Sequence, residues 1–445
     1  MTAAAAPAVL LLMHQGNSFT QEAGEILARR GIALLALSSR PAKEDVFEKS
    51  KAYLADWIVT EHPRLSRADV ADAVGIFRDR GTRDHGYDIQ AAIATFEGYR
   101  LLMAELNREL GAQDSSPESL RLALDKHRLR QFLFDCGLSA VRCHLLSDGQ
   151  VPELDPAVTW FVKPVRGASS FATFILRNIA DLKDLPSIRE QMRSDRKMSA
   201  IFMDRYDFLV EEYVEGPEFS FETVVTDGIA YHIGVHEKAR VERQERTTLE
   251  GMSISPPVCI DPAIVLEGAQ FVSECLSAIG LRAGAFHVEA KYWTDRKRWE
   301  VIEVNPRMGG SLINASVQAV TGSSMLELWL DTLLADDAGR GRLRNRLREV
   351  SQIEALREGR NRKATVFLSK YGEKGRTVEA IEFMPPDGMK PEILNIHVEQ
   401  GTELENSDRA ICLMDALWQV DCADLRNEVE RLDRLADEHF RVQYR

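Results

Sequence analysis

The chain has 445 residues, 44% of them hydrophobic and 28% charged, a globular balance that excludes long disorder. At ~100–200 residues per domain this length holds roughly two to four domains. The net charge of −13 argues against a general nucleic-acid binder, whose phosphate contacts require a basic surface.

The stretch Met1–Met13 is apolar, has no basic segment and is interrupted by Pro7, so it reads as a buried first strand rather than a leader. No apolar run approaches the ~18 residues that a membrane helix needs. A turn at His14-Gln15-Gly16-Asn17 follows, then a helix to Arg30 capped by Ser18 or Thr20 and ended by Gly31. Apolar runs at Ile32–Leu37, Ile58–Thr60 and Ile89–Thr95 are separated by helical patterns, which predicts a parallel βαβ sheet. No G-x-G-x-x-G follows the first strand, so a dinucleotide fingerprint is missing.

The polar segment Ala112–Glu118 marks a boundary. A helix over Leu120–Cys136 is predicted next, stopped by Gly137. Strands are predicted at Trp160–Pro164, Ala172–Leu176, Phe208–Val214, Phe219–Thr226 and Ile229–His236. From Arg340 to Lys363 the chain is arginine-rich and reads as a solvated helix plus linker, since it lacks interleaved aromatics and Glu349, Glu354 and Glu358 follow. The tail alternates short strands and turns before an amphipathic helix at Asp424–His439. Cys136, Cys143, Cys259, Cys275, Cys412 and Cys422 form no C-x-x-C pair and no zinc-finger spacing, as expected of a reduced, cytoplasmic chain.

The most informative segment runs from Ala285 to Asn305. Two alternating halves flank a polar turn, predicting a β-hairpin. Centring the turn on Arg296 places Glu289 opposite Glu303 and His287 opposite Asn305, all four on one face. Phe286, Val288 and Ala290, opposite Val304 and Ile302, form the core face. Two carboxylates directly opposed repel each other unless one is protonated or a cation intervenes. Carboxylate and amide oxygens without sulfur suit Mg²⁺, or Mn²⁺.

The string Glu303-Val-Asn-Pro-Arg-Met-Gly-Gly310 resembles the metal-binding segment of the ATP-grasp superfamily, which carries a Glu on one strand and Glu-x-Asn-x-Arg on the next. Asp125-Lys126 opening a helix, the strand Phe161-Val-Lys-Pro164 and the segment Val210–Glu218 resemble that family's remaining nucleotide motifs in the same order. The resemblance is strongest to L-amino-acid (dipeptide) ligases. It implies an α/β chain with a βαβ N-terminal domain over residues 1–117. An ATP-grasp domain over 118–335 would follow, with a mobile lid at about 140–207, and then a C-terminal α+β piece over 336–445. It also implies that Lys126 and Lys163 hold phosphates under a loop containing Gly167, Ser169 and Ser170. That loop keeps less glycine than relatives have. Glu211, Glu212, Tyr213 and Val214 would form the adenine hinge, Glu218 would bind ribose, and Glu289, Glu303 and Asn305 would hold Mg²⁺.

By the same resemblance the reaction joins a carboxylate to an amine. The acid attacks the γ-phosphate, ADP leaves, and the amine then displaces phosphate from the acyl phosphate. Arg307 would stabilise the developing charge, with Lys238 near the phosphates. Glu250 would take a substrate amino group, His287 could touch substrate, and Gly309 and Gly310 would admit a substrate carboxylate. Small amino acids or related acids are the expected partners, without nucleic acid or membrane. A homodimer is left open, and peptide-antibiotic pathways are the setting the resemblance implies. Two other readings stay open: a biotin-carboxylase-like subunit, although Met389-Lys390 lacks the Ala-Met-Lys-Met setting of a carrier lysine, and a non-catalytic nucleotide-binding module.

Overall fold

The computed structural model describes residues 5–16, 18–80, 86–147, 152–196 and 198–445. Asn17 of the expected turn, Met1–Ala4 of the expected first strand, and residues 148–151 and 197 of the expected lid lie outside them.

Strands β1 (Ala6–Met13), β2 (Ala33–Ser38), β3 (Asp56–Val59) and β4 (Tyr87–Ile93) form a parallel sheet in the order β3-β2-β1-β4. β1 is central and buried from Ala8 to Met13, which explains its unbroken apolar run. The first helix is shorter than expected, Thr20–Ala28, and neither Ser18 nor Thr20 caps it. Phe19 occupies the cap position, and the Ser18 hydroxyl is engaged with Thr95 Oγ1 at 3.0 Å.

The expected helix over Leu120–Cys136 is two helices, Pro117–Ala123 and Lys126–Asp135. Asp125 breaks the run by capping the second, its carboxylate accepting from the Arg128 amide.

A small antiparallel sheet follows, made of β5 (Cys143–Leu146), β6 (Trp160–Pro164), β7 (Phe174–Leu176) and β8 (Phe208–Glu212) in the order β5-β8-β6-β7. It encloses its own core around Val162, Phe171, Phe202 and Phe208.

The largest sheet is antiparallel and eight-stranded. Its strands are β9 (Glu218–Thr226), β10 (Ile229–Arg243), β11 (Thr248–Ser255), β12 (Gly284–Trp293), β13 (Arg298–Asn305), β14 (Lys363–Tyr371), β16 (Ile393–Ile396) and β17 (Cys412–Asp421). They run in the order β13-β12-β9-β10-β11-β14-β17-β16. β15 (Val378–Phe383) pairs separately with β18 (Phe440–Tyr444). The sheet crosses the expected boundary at 335/336, because β14, β16 and β17 extend it directly from β11.

One face of this sheet is largely apolar. Phe219, Phe221, Phe286, Val288 and Val304 pack under the helix Pro262–Ile279, and Ile254, Val366, Leu368 and Trp418 under the helix Leu425–His439. Strand alternation then delivers the polar residues of the same strands to the opposite face. Contrary to the sequence expectation, Pro262–Ile279 is long and apolar enough by length and composition to cross a membrane. Here its Val265, Val272 and Leu276 lie in the core beneath β12 and β13.

The arginine-rich stretch forms the helices Asp337–Val350 and Gln352–Arg357. Its Arg340 and Arg344 pair with Asp227, and Arg346 with Glu327 and Asp331.

Candidate active site

The polar face of the large sheet, covered by the small sheet, encloses a cavity of about 410 Å³. β12 and β13 pair with Glu289 directly opposite Glu303 and His287 opposite Asn305, the register read from sequence. The pairing departs from expectation just beyond Glu289, where Ala290 faces Val301 rather than Ile302. A bulge frees Ile302, which lines the cavity, while its carbonyl accepts from Lys163 Nζ at 3.1 Å. β9 lies on the other side of β12, with Ser220 opposite Glu289 and Glu222 opposite His287.

The opposed carboxylates are countered by cations. Lys126 Nζ lies 2.9 Å from Glu303, and Lys238 Nζ lies 3.1 Å from Glu289 and 2.7 Å from both Glu218 and Glu250. His287 donates from Nδ1 to Glu222 at 2.6 Å and from Nε2 to Glu289 at 3.2 Å. Burial disfavours every charge here, yet the neighbours prevail for most. Glu222 and Glu289 push the His287 imidazolium up to about 10 against that burial. Glu289 is held far below the usual carboxylate range by Lys238 and His287 despite desolvation. Glu250 is the exception: burial, with Glu289 and Glu218 close by, raises it even against Lys238.

These residues fit a hard divalent cation. Glu289, Glu303 and Asn305 form an all-oxygen donor set, and Asn305 Nδ2 donates to Glu303 at 2.8 Å, which leaves its Oδ1 for a metal. The ammonium groups beside both carboxylates show that the pair demands positive charge.

Lys163 is buried between Glu211, at 2.7 Å, and the Ile302 carbonyl. Glu211 also takes the Arg130 guanidinium at 3.0 Å, and Arg130 lies 3.6 Å from the fully buried Glu300. Desolvation lowers the Lys163 ammonium more than Glu211 raises it. Lys126 and Lys163 thus reach the cavity from separate elements, a helix N-terminus and the end of β6. Lys126 also donates to the Gly167 carbonyl at 3.0 Å. In the loop after β6, Ser169, Ser170 and Ala172 adopt positive φ of 56°, 51° and 52°, the conformation that glycine would take without strain.

A profile of the ATP-grasp domain family matches residues 157–315. The chain carries an ATP-grasp domain. A solved L-amino acid ligase from Bacillus licheniformis is similar over 99% of both chains, with a TM-score of 0.75 at 18% identity. A biotin carboxylase from Campylobacter jejuni is similar over 98% of this chain and 92% of its own, at TM-score 0.63 and 14% identity. Both likenesses concern the fold. Carnosine synthase 1 of Gallus gallus is 27% identical over 337 residues, 71% of this chain. The chain spans about a third (34%) of that protein's length.

In this ATP-grasp arrangement the cavity gathers every residue singled out from sequence except Gly309. The Gly309 amide donates to Glu222 at 3.2 Å, so it is not free for a substrate carboxylate. Gly310 lines the cavity. Glu211 also lines the cavity; its backbone lies in the ladder between β5 and β6, and its side chain is the partner of Lys163 and Arg130. The Glu212 and Tyr213 amides are engaged by the Arg142 and Thr159 carbonyls, at 2.9 and 2.8 Å. Arg307 is drawn toward an acid, its Nε lying 3.5 Å from Glu97, while Nη1 donates to the Met308 carbonyl.

Sequence reasoning missed Glu222 and Glu97. Glu222 carried a readable signal: Phe219 and Phe221 face the core, so strand period two turns Glu218, Ser220 and Glu222 toward the polar face. Glu97 carried none, since it reaches Arg307 from the segment that follows β4. A Cβ on Gly309 would lie 2.4 Å from Ile313 Cγ2 and 2.9 Å from Glu222 Oε2. Gly309→Ala is therefore expected to cost about 1–3 kcal/mol, read as a lowered midpoint in urea unfolding; an unchanged midpoint would contradict this packing.

Proposed function

We propose that this ATP-grasp protein is an ATP-dependent carboxylate–amine ligase forming a peptide or amide bond between small amino acids, with release of ADP and phosphate. The observation that carries the reading is the convergence of Lys126, Lys163 and the opposed pair Glu289/Glu303 on one cavity. Triphosphate charge requires such convergent cations, and catalysis of this kind is positioning and charge neutralisation rather than covalent attack by the enzyme.

Lys126 and Lys163 contact phosphates, beneath the loop of Gly167, Ser169 and Ser170. Glu289, Glu303 and Asn305 hold Mg²⁺, which neutralises phosphate charge when bound. The purine edge meets the hinge at Glu212–Val214, with the Val214 amide as its donor, because those of Glu212 and Tyr213 are already engaged. Glu218 takes the ribose. The substrate acid attacks the γ-phosphorus, ADP departs, and the acyl phosphate is then captured by the amine. Arg307 and Lys238 stabilise the charge that builds on the acyl oxygens. His287 orients Glu289, and Glu250 receives a substrate ammonium. The segment of about 140–207 is the lid, and the setting is cytoplasmic.

The defining experiment measures phosphate release from MgATP with the twenty amino acids singly and in pairs, followed by mass spectrometry of products. A condensation product supports the reading. Biotin-stimulated, bicarbonate-dependent release would favour the carboxylase alternative, whose fold is also similar. Nucleotide binding without turnover on any pair would favour a binding module.

Glu250→Ala is expected to raise the KM for one amino acid by about 10- to 100-fold, the loss of one charge-assisted hydrogen bond, with the KM for ATP nearly unchanged. A collapse in ATP affinity would move Glu250 into the nucleotide site.

A further inference from the structure

At the rim of the cavity, on β17 and just beyond the end of β16, a second cluster stands apart from the carboxylate pair. The imidazole of His397, the thiol of Cys412 and the carboxylate of Asp415 have ligand atoms within 4.8 Å of one another. The sequence gives no hint of it, because residues 412 and 415 of a regular strand face opposite sides. The pairing of β17 with β14 shows how they meet. Ser369 faces Asp415 and Lys370 faces Met414, but Tyr371 faces Cys412. Leu413 is thus an extra residue, and the bulge turns Cys412 onto the same face as Asp415. The Leu413 carbonyl accepts the His397 amide at 2.9 Å, which anchors the third member.

The surroundings match a metal site rather than a chance cluster. His397 Nε2 lies 3.0 Å from Asp415 Oδ2, and Asp415 is itself oriented by Ser311 Oγ at 2.6 Å and Asn395 Nδ2 at 2.8 Å. Cys412 and Ser311 both line the cavity, so the cluster meets it through these two residues.

We propose that His397, Cys412 and Asp415 bind Zn²⁺, or a similar borderline-soft divalent cation, with the fourth coordination position open to the cavity. One nitrogen, one sulfur and one oxygen donor select zinc over the hard Mg²⁺ of the carboxylate pair. Ligand atoms around a tetrahedral zinc lie about 3.5 Å apart at bond lengths of about 2.0–2.3 Å, so small side-chain rotations close the set. Three protein ligands leave one position for water or a substrate donor. Ser311 follows directly on Gly309-Gly310, so an occupied site bears on the substrate end of the cavity.

The test titrates the full chain, stripped of metal, with Co²⁺ and reads the thiolate-to-cobalt charge-transfer absorption, followed by displacement with Zn²⁺. Wild-type protein should show the band at one equivalent and lose it to zinc. Cys412→Ser should abolish the band, and His397→Ala, at a partly exposed residue, should weaken cobalt affinity at least about 10-fold. Glu303→Gln should keep the band, which separates this site from the magnesium site. Absence of a band in wild-type protein, or its survival in Cys412→Ser, would overturn the proposal.

Discussion

Glu303→Gln is expected to lower kcat by about 10²- to 10³-fold, on the scale of losing one electrostatic contact to the reacting phosphates, while the protein stays folded. The substitution keeps the shape and the Asn305 contact but removes one of two opposed charges. A neutral amide binds a hard cation less strongly than a carboxylate and is a weaker partner for Lys126, which lies 2.9 Å away. The check is phosphate release under saturating MgATP and amino acids, with circular dichroism confirming the fold. A steeper requirement for Mg²⁺ should accompany the loss. Turnover at the wild-type rate would remove Glu303 from the metal assignment, and with it the central support for the ligase reading.

The second large effect concerns stability. Arg130 is buried beside Glu211 and Glu300, with exposures of 2%, 5% and 0%. Arg130→Met is expected to cost about 3–5 kcal/mol, because truncating one partner of a buried ionic network leaves carboxylates uncompensated. Glu211 carries the penalty. Desolvation alone would raise its carboxyl, and Arg130 and Lys163 together hold it below its ordinary value. Urea unfolding of the variant should show a midpoint shift with an unchanged slope. Adding Glu211→Gln should recover part of the loss, and a single-variant cost under about 1 kcal/mol would show that the network behaves like a surface pair. Since Lys163 shares Glu211, the same variant should also raise the KM for ATP.

Much of the site was legible because it sits on strands. Period two is strict, so one correct turn placed Glu289, Glu303, His287 and Asn305 on a common face. The limits of that logic are equally local. The bulge at Ile302 and the one at Leu413 each add a residue to one strand and re-aim its neighbours, and apolar alternation carries no mark of either. Apolar spacing alone runs one helix from Leu120 to Cys136, whereas the resemblance has Asp125-Lys126 open a helix, and the structure follows the second reading, with Asp125 as the cap. The position of Glu211 in the hinge segment says nothing of its buried side chain, which answers to Arg130 on a distant helix.

From its residues alone, this chain declares a parallel βαβ start, a hairpin with two facing carboxylates, and the ordered lysine, hinge and Glu-x-Asn-x-Arg segments of an ATP-grasp domain. These follow from short-range rules: side-chain periodicity, turn chemistry and spacing along single strands. Only the tertiary structure decided which cation answers which carboxylate. Lys126, Lys238 and His287 reach their partners across separate elements, and Glu97 reaches Arg307 from the segment that follows the N-terminal sheet. It likewise joined the C-terminal strands to the central sheet and gathered His397, Cys412 and Asp415. The physical reason is range: periodicity acts over a few residues, while charge pairing in a buried site depends on distances that only the packed chain sets.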